Sequence, residues 1–324
     1  MGLFDEQVSR KPNRYPWTQD FINSMWSGHW TPNEFDFKGD IQNFRTDLSP
    51  EAQRVVERTL SAIGQIEIAV KKFWSRLGDT LPHPGITDLG LVMAGVEVIH
   101  NQAYEKLLIV LQLNDVFEKN LESNLIKGRV KYLRKYLDQN YEDDRKQFVY
   151  SLILFTLFVE NVSLFSQFYV IMWFNRYMNV LKDTDQQVKY TKNEEALHAE
   201  VGIRLVNTLR EEYPELFDSE LEERIKQEAV VAFECESDIV AWILGDFKGT
   251  RLSVPILQEY IKDRINESLT RIGFSTLFEV DERLIEETMW MHEEVKGVSK
   301  TDFFYKKPVD YAKRDKVFRS EDLF

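Results

Sequence analysis

Apolar residues recur every three or four positions for long stretches between Pro50 and Ile272, with polar residues filling the intervals. That period puts the apolar set on one side of a helix. It predicts helices over about 51–76, 87–114, 122–138, 144–180, 184–211, 219–245 and 254–272. Ser49-Pro50-Glu51 supplies a start signal for the first, with Pro entering the first turn and an acid behind it. Gly (14) and Pro (9) are scarce among 324 residues, and no Pro falls between Pro84 and Pro214. Neither strand-like alternation nor a Gly-rich phosphate loop competes. The expected fold class is all-α, with an N-terminal arm over 1–48, a helical domain over 49–298 and a C-terminal tail over 299–324. The arm, rich in Trp, Pro and Asn, and roughly the last 25 residues read as irregular.

Residues 149–174, VYSLILFTLFVENVSLFSQFYVIMWF, are long and apolar enough to cross a bilayer. Against a membrane span, the segment carries Glu160 near its middle, with Asn161, Ser163, Ser166 and Gln167, and no second comparable segment exists. A central helix buried on nearly all sides of a bundle is the better account. It leaves Glu160 to be explained, because an ionised carboxylate in a core must neutralise or find a cation.

Composition narrows the class. Hydrophobic residues make up 43% of the chain, ample for a large core, and the formal charge is −13 with no basic run. Nucleic acid is therefore excluded as the expected partner. One cysteine, Cys235, permits neither an intrachain disulfide nor a Cys-based metal site, and suits a reducing compartment, so a cytoplasmic protein is expected. The N-terminus, MGLFDEQVSRKPNRYPW, has no apolar signal core, and Glu6 stands where myristoylation would need Ser or Thr.

Two Glu-x-x-His motifs, Glu97-Val-Ile-His100 and Glu195-Ala-Leu-His198, lie in predicted helices. Residues three apart on a helix sit about 60° from one another, so each pair can grip one metal ion. Glu67, in SAIGQIEIAV, and Glu160, in LFVENV, are isolated carboxylates in apolar helices. Ferritin-like di-iron and dimanganese bundles build their sites from this set: one Glu on each of two helices and Glu-x-x-His on two others. Four carboxylates and two neutral imidazoles balance two divalent ions, and an oxygen-rich site favours iron or manganese over zinc. A buried Glu paired with a cation, or a His satisfied in the core, would be the plainer account of any one of the six. The joint pattern carries the expectation of a dinuclear site. Tyr104, four residues after His100, returns nearly to the azimuth of Glu97 about 10 Å along the axis, which makes it a candidate one-electron donor.

These residues bring the chain into resemblance with the small, radical-generating subunit of class I ribonucleotide reductase, over essentially its whole length. The resemblance rests on Glu97-Val-Ile-His100 followed by Tyr104, Phe158-Val159-Glu160, and Glu194-Glu195-Ala196-Leu197-His198. It implies that these motifs supply five metal ligands, with Glu67 as the sixth. Trp30, in HWTPNE, resembles the tryptophan that starts electron transfer from the metals, and Glu194 the carboxylate that links it to His100. Tyr311 resembles the tail tyrosine that relays the radical to the large catalytic subunit, on which the segment ending SEDLF would dock. The resemblance further implies a homodimer, and an oxidising equivalent made here and used by the large subunit to begin ribonucleotide reduction. A nucleotide-binding regulatory domain before the body of the subunit is not expected.

Two positions depart from the commonest pattern. Glu67 stands where forms with a stable tyrosyl radical generally have Asp. Glu there with Tyr104 present resembles the dimanganese subgroup, in which the metal pair is itself the oxidant; iron and manganese–iron pairs are the alternatives. Glu194 stands where the family usually has Asp. Lys71, four residues after Glu67, reads plainly as a Glu–Lys pair at the rim, and more sharply as a cation that draws superoxide, rather than neutral oxygen, to the metals. A metal-storage or ferroxidase bundle, and a dimetal oxidase acting on an organic substrate, are the functional alternatives.

Overall fold

A computed structural model of the chain describes residues 2–66 and 70–300, with Val70 and 292–300 described by backbone alone. Helices α1 (Trp17–Ser27) and α2 (Lys38–Gln42) precede α3 (Pro50–Ile66). Next come α4 (Val70–Ser75), α5 (Leu77–Thr80) and the long α6 (Pro84–Val110), then α7 (Asn114–Leu121) and α8 (Asn124–Leu133). Helix α9 (Asp144–Leu154) passes through a π-helical segment, Phe155–Ser163, into α10 (Phe165–Met178). The last four are α11 (Lys182–Glu212), α12 (Ser219–Leu244), α13 (Val254–Arg271) and α14 (Glu282–Lys300). The described residues contain no strand, only one isolated bridge between Gly249 and Leu252.

The centre is formed by α6, the π-helical segment with α10, and α11, with α3, α4, α12 and α13 packed around them. The segment Asp144–Met178 is apolar enough to span a membrane, yet its most apolar window is 89% buried inside the bundle. Its hydrophobicity is that of a helix with neighbours on every side.

Four features depart from the expected elements. The helix expected without interruption over about 144–180 widens between Phe155 and Ser163, around Glu160. Ser163 Oγ donates to the carbonyl of Phe158, five residues back, at 2.6 Å. Gly202 of α11 faces this stretch: a Cβ there would stand 2.1 Å from Thr156 Cγ2, so only glycine admits the approach. Helix α7 interrupts what read as a connection, because Gln112, at φ 61°, turns the chain out of α6 without a Gly or Pro. The arm is not irregular, since α1 buries Thr18, Ile22 and Met25, three positions on one helical side, and lies against α6. Its Trp, Pro and Asn content masked that stripe. Helix α14, with Trp290 and Met291 buried, adds a helix beyond the last one expected, at 254–272, whereas the tail expected to be irregular lies outside the described residues from 301 onward.

Distant segments fix the ends of the central helices. Asp40 accepts from Thr184 N at 2.6 Å, Thr184 Oγ1 at 2.7 Å and Asp183 N at 3.3 Å, capping α11 from another part of the chain. Lys106 of α6 donates to the carbonyls of Pro32 and Phe35 at 2.7 and 2.8 Å, which pins the segment that carries Trp30.

Candidate metal centre

The carboxylates of Glu97, Glu160 and Glu195 and the imidazole of His198 are all buried, and one ligand atom from each lies within 4.8 Å of the others. Helix α6 supplies Glu97, the π-helical segment Glu160, and α11 Glu195 and His198. His100 joins them from α6, with Nδ1 2.9 Å from Glu195 Oε1 and 3.4 Å from Glu97 Oε2. His198 Nδ1 lies 2.8 Å from Glu97 Oε1, 3.6 Å from Glu195 Oε2 and 3.9 Å from Glu160 Oε2. Glu67 lies outside the described residues.

Both oxygens of Glu97 and of Glu195, Oε2 of Glu160 and both ring nitrogens of His198 are buried without a well-aligned hydrogen bond among the described residues. Buried charge in this arrangement needs a cation or protons. Burial and the neighbouring carboxylate of Glu195 push the Glu160 carboxyl well above its ordinary range. Burial would also raise Glu195, but its contacts with Glu160, His100 and His198 outweigh it and hold Glu195 low. Burial would likewise lower His198, yet the charge of Glu97 and contacts with Glu160 and Glu195 push its imidazole up. With no cation bound, these same atoms would favour protons. The donor set, hard oxygens with two imidazoles, fits two ions of the iron or manganese type.

Around this cluster stand groups that orient it. Trp74 Nε1 donates to Glu160 Oε1 at 2.6 Å, a contact no spacing in the sequence announces. Glu194 Oε2 lies 2.8 Å from His100 Nε2 and accepts from Trp30 Nε1 at 2.8 Å. With His100 donating from Nε2, its Nδ1 lone pair is turned toward Glu195 and Glu97. The rings of Trp30 and His100 stack with centroids 6.4 Å apart. The longer Glu194 thus spans the link that Asp would be expected to make. Tyr104 is buried on α6 one turn beyond His100. Lys71 Nζ donates to Asn101 Oδ1 at 3.3 Å. Tyr311 lies outside the described residues, as does the tail from 301 onward.

A helical bundle whose facing helices send carboxylates and imidazoles into one buried cluster defines the ferritin-like dimetal class. Residues 7–296 match the family model for the ribonucleotide reductase small chain, and the chain belongs to that family. It is 22% identical over 305 residues to the ribonucleoside-diphosphate reductase subunit beta of Halalkalibacterium halodurans, spanning 93% of this chain and 87% of that one. To the corresponding subunit of Chlamydia pneumoniae it is 24% identical over 313 residues, spanning 93% and 88%. The ribonucleotide reductase R2 subunit from Clostridium botulinum has the same fold, with a TM-score of 0.80 at 19% identity over 91% of this chain and 94% of that one. As a small subunit of ribonucleoside-diphosphate reductase, the chain provides the oxidising equivalent for a large subunit that reduces ribonucleotides. A storage or ferroxidase bundle is not favoured by this match.

Proposed function

We propose that Glu67, Glu97, His100, Glu160, Glu195 and His198 hold two manganese ions, and that the oxidising equivalent stays on the metal pair while Tyr104 remains reduced. The observation that carries the dinuclear part is the convergence of four buried ligand groups within 4.8 Å of one another. Manganese rests on Glu67 and Tyr104 together, the combination that resembles the dimanganese subgroup. Bound there, the pair would supply one-electron oxidising chemistry. The chain's part is to bind, orient and connect. Glu194 holds His100 and Trp30 on one oxygen, which gives a short hydrogen-bonded route out of the site.

Trp30 starts the transfer, Tyr311 relays it across the interface, and the tail from residue 299 docks on the large subunit. Oxygen or superoxide serves as oxidant. Lys71 favours the anionic one, because an ammonium near the site raises its local concentration. The protein works in the cytoplasm, where a single Cys235 needs no partner. Removing about the last 20 residues tests the docking role. The truncated chain is expected to keep its metals and fold and to lose all turnover with the large subunit; unchanged turnover would contradict it.

A further inference from the structure

Where a π-helical turn gives way to α-helix, hydrogen bonding shifts from i→i+5 to i→i+4 and carbonyl oxygens lose amides in register. Asn161 and Ser163 lie one and three residues after Glu160, at the end of such a turn. Two buried arginines meet their carbonyls. Arg129 of α8 donates to Ser163 O, to Gln167 Oε1 at 2.8 Å and to Ala62 O at 2.7 Å, and its charge faces Glu236 at 2.8 Å. Arg264 of α13 donates from Nε to Asn161 O at 2.6 Å and from Nη2 to Asn161 Oδ1, and stacks 3.5 Å over the Phe165 ring.

The two arginines differ in what they neutralise. Arg129 has a carboxylate against it, whereas among the described residues the contacts of Arg264 are a carbonyl, an amide and the rings of Phe165 and Tyr260. A guanidinium buried on neutral acceptors costs free energy, and such groups are best attested where they specify one conformation. Here the conformation is that of the residue next to Glu160.

We propose that Arg264 is a positioning residue for the metal centre: by clamping Asn161 at both its carbonyl and its side chain, it holds the wide turn that aims Glu160 into the cluster. Loss of the clamp lets the turn tighten toward α-helical spacing, and a one-residue change of register rotates a side chain by about 100°. Glu97, Glu195 and His198 stand on α6 and α11, outside this turn, so the effect falls on one ion of the two. The inference rests on the dimetal reading above.

The test is Mn(II) binding to the full chain by equilibrium dialysis, with electron paramagnetic resonance to detect spin-coupled ion pairs and circular dichroism to follow folding. Wild type is expected to bind two Mn(II) per chain, and uptake of fewer would overturn the dimetal reading itself. Arg264→Gln is expected to bind one ion as wild type does and the other at least ~10-fold more weakly, with loss of the coupled signal. Arg264→Lys, which can serve one acceptor but not both, is expected between the two. Asn161→Ala removes half of the clamp without touching the arginine, and decides the matter if Arg264→Gln does not fold. It should weaken the same ion, and the double variant should be no weaker than Arg264→Gln alone. Wild-type affinity for both ions in folded variants, or equal weakening of both, would overturn the clamp.

Discussion

Protons and metal compete for the same atoms at Glu160 and His198. Both groups are pushed above their ordinary values of 4.5 and 6.5, so the fold prefers each of them protonated. A raised folded pKa contributes stability that is complete below the unfolded value and is lost as pH climbs through the folded one. Glu195 has the opposite sign: held low, it contributes stability that is lost on acidification below its ordinary 4.5. The metal-free protein is therefore expected to lose thermal stability as pH rises above about 4.5 through Glu160, and more steeply above about 6.5 where His198 adds to it, while stabilisation by Mn(II) grows over the same range because fewer protons must be displaced. Scanning calorimetry against pH, with and without Mn(II), checks both slopes, and a pH-independent metal-free Tm would contradict them. At this scale the sequence was legible wherever chemistry forced a spacing, as in Glu97 with His100 and Glu195 with His198. Trp74 was not, because a donor from another helix to Glu160 Oε1 leaves no periodic trace.

The elements were read by periodicity, and periodicity sees a helix without seeing its pitch. Residues 144–180 have the composition of one long buried helix, and the widening at Phe155–Ser163 depends on partners such as Arg129 and Arg264 that are remote in sequence. Gly202 records the widening indirectly, as the residue of α11 that lets Thr156 approach. In Gly202→Ala the new methyl would meet backbone-proximal atoms of Thr156, at 2.1 to 2.7 Å, which a rotamer change cannot relieve. Overpacking of this kind is expected to cost ~1–3 kcal/mol and to weaken metal uptake by separating α11 from the turn that carries Glu160. Denaturant titration and Mn(II) dialysis measure the two effects. Wild-type values for both would show that the close approach is dispensable. Helix α1 was missed for another reason: three buried positions within a Trp- and Pro-rich segment make too short a stripe to stand out.

Across the whole molecule, α6 carries an inconsistency that a second subunit resolves. The helix is apolar on most of its surface, yet Leu91 and Ile109 are each 54% exposed and Val98 is exposed between them, with Gln102 and Glu105 on the same side. That face is expected to form the homodimer contact, and Leu91→Glu, distant from the ligands, should raise the dimer dissociation constant at least ~10-fold by placing a charge in an apolar interface. Sedimentation velocity reads the change, and an unaltered dimer would place the contact elsewhere. The family was legible from motifs spread along the chain, whereas the choice of metal rests on Glu67 and Tyr104 alone. Activation of the protein with Mn(II) and with Fe(II), each followed by electron paramagnetic resonance and by turnover with the large subunit, tests that choice directly. A multiline manganese signal that rises and falls with turnover, in Tyr104→Phe as in wild type, is the predicted result; a sharp tyrosyl signal that tracks turnover and vanishes in Tyr104→Phe would contradict it.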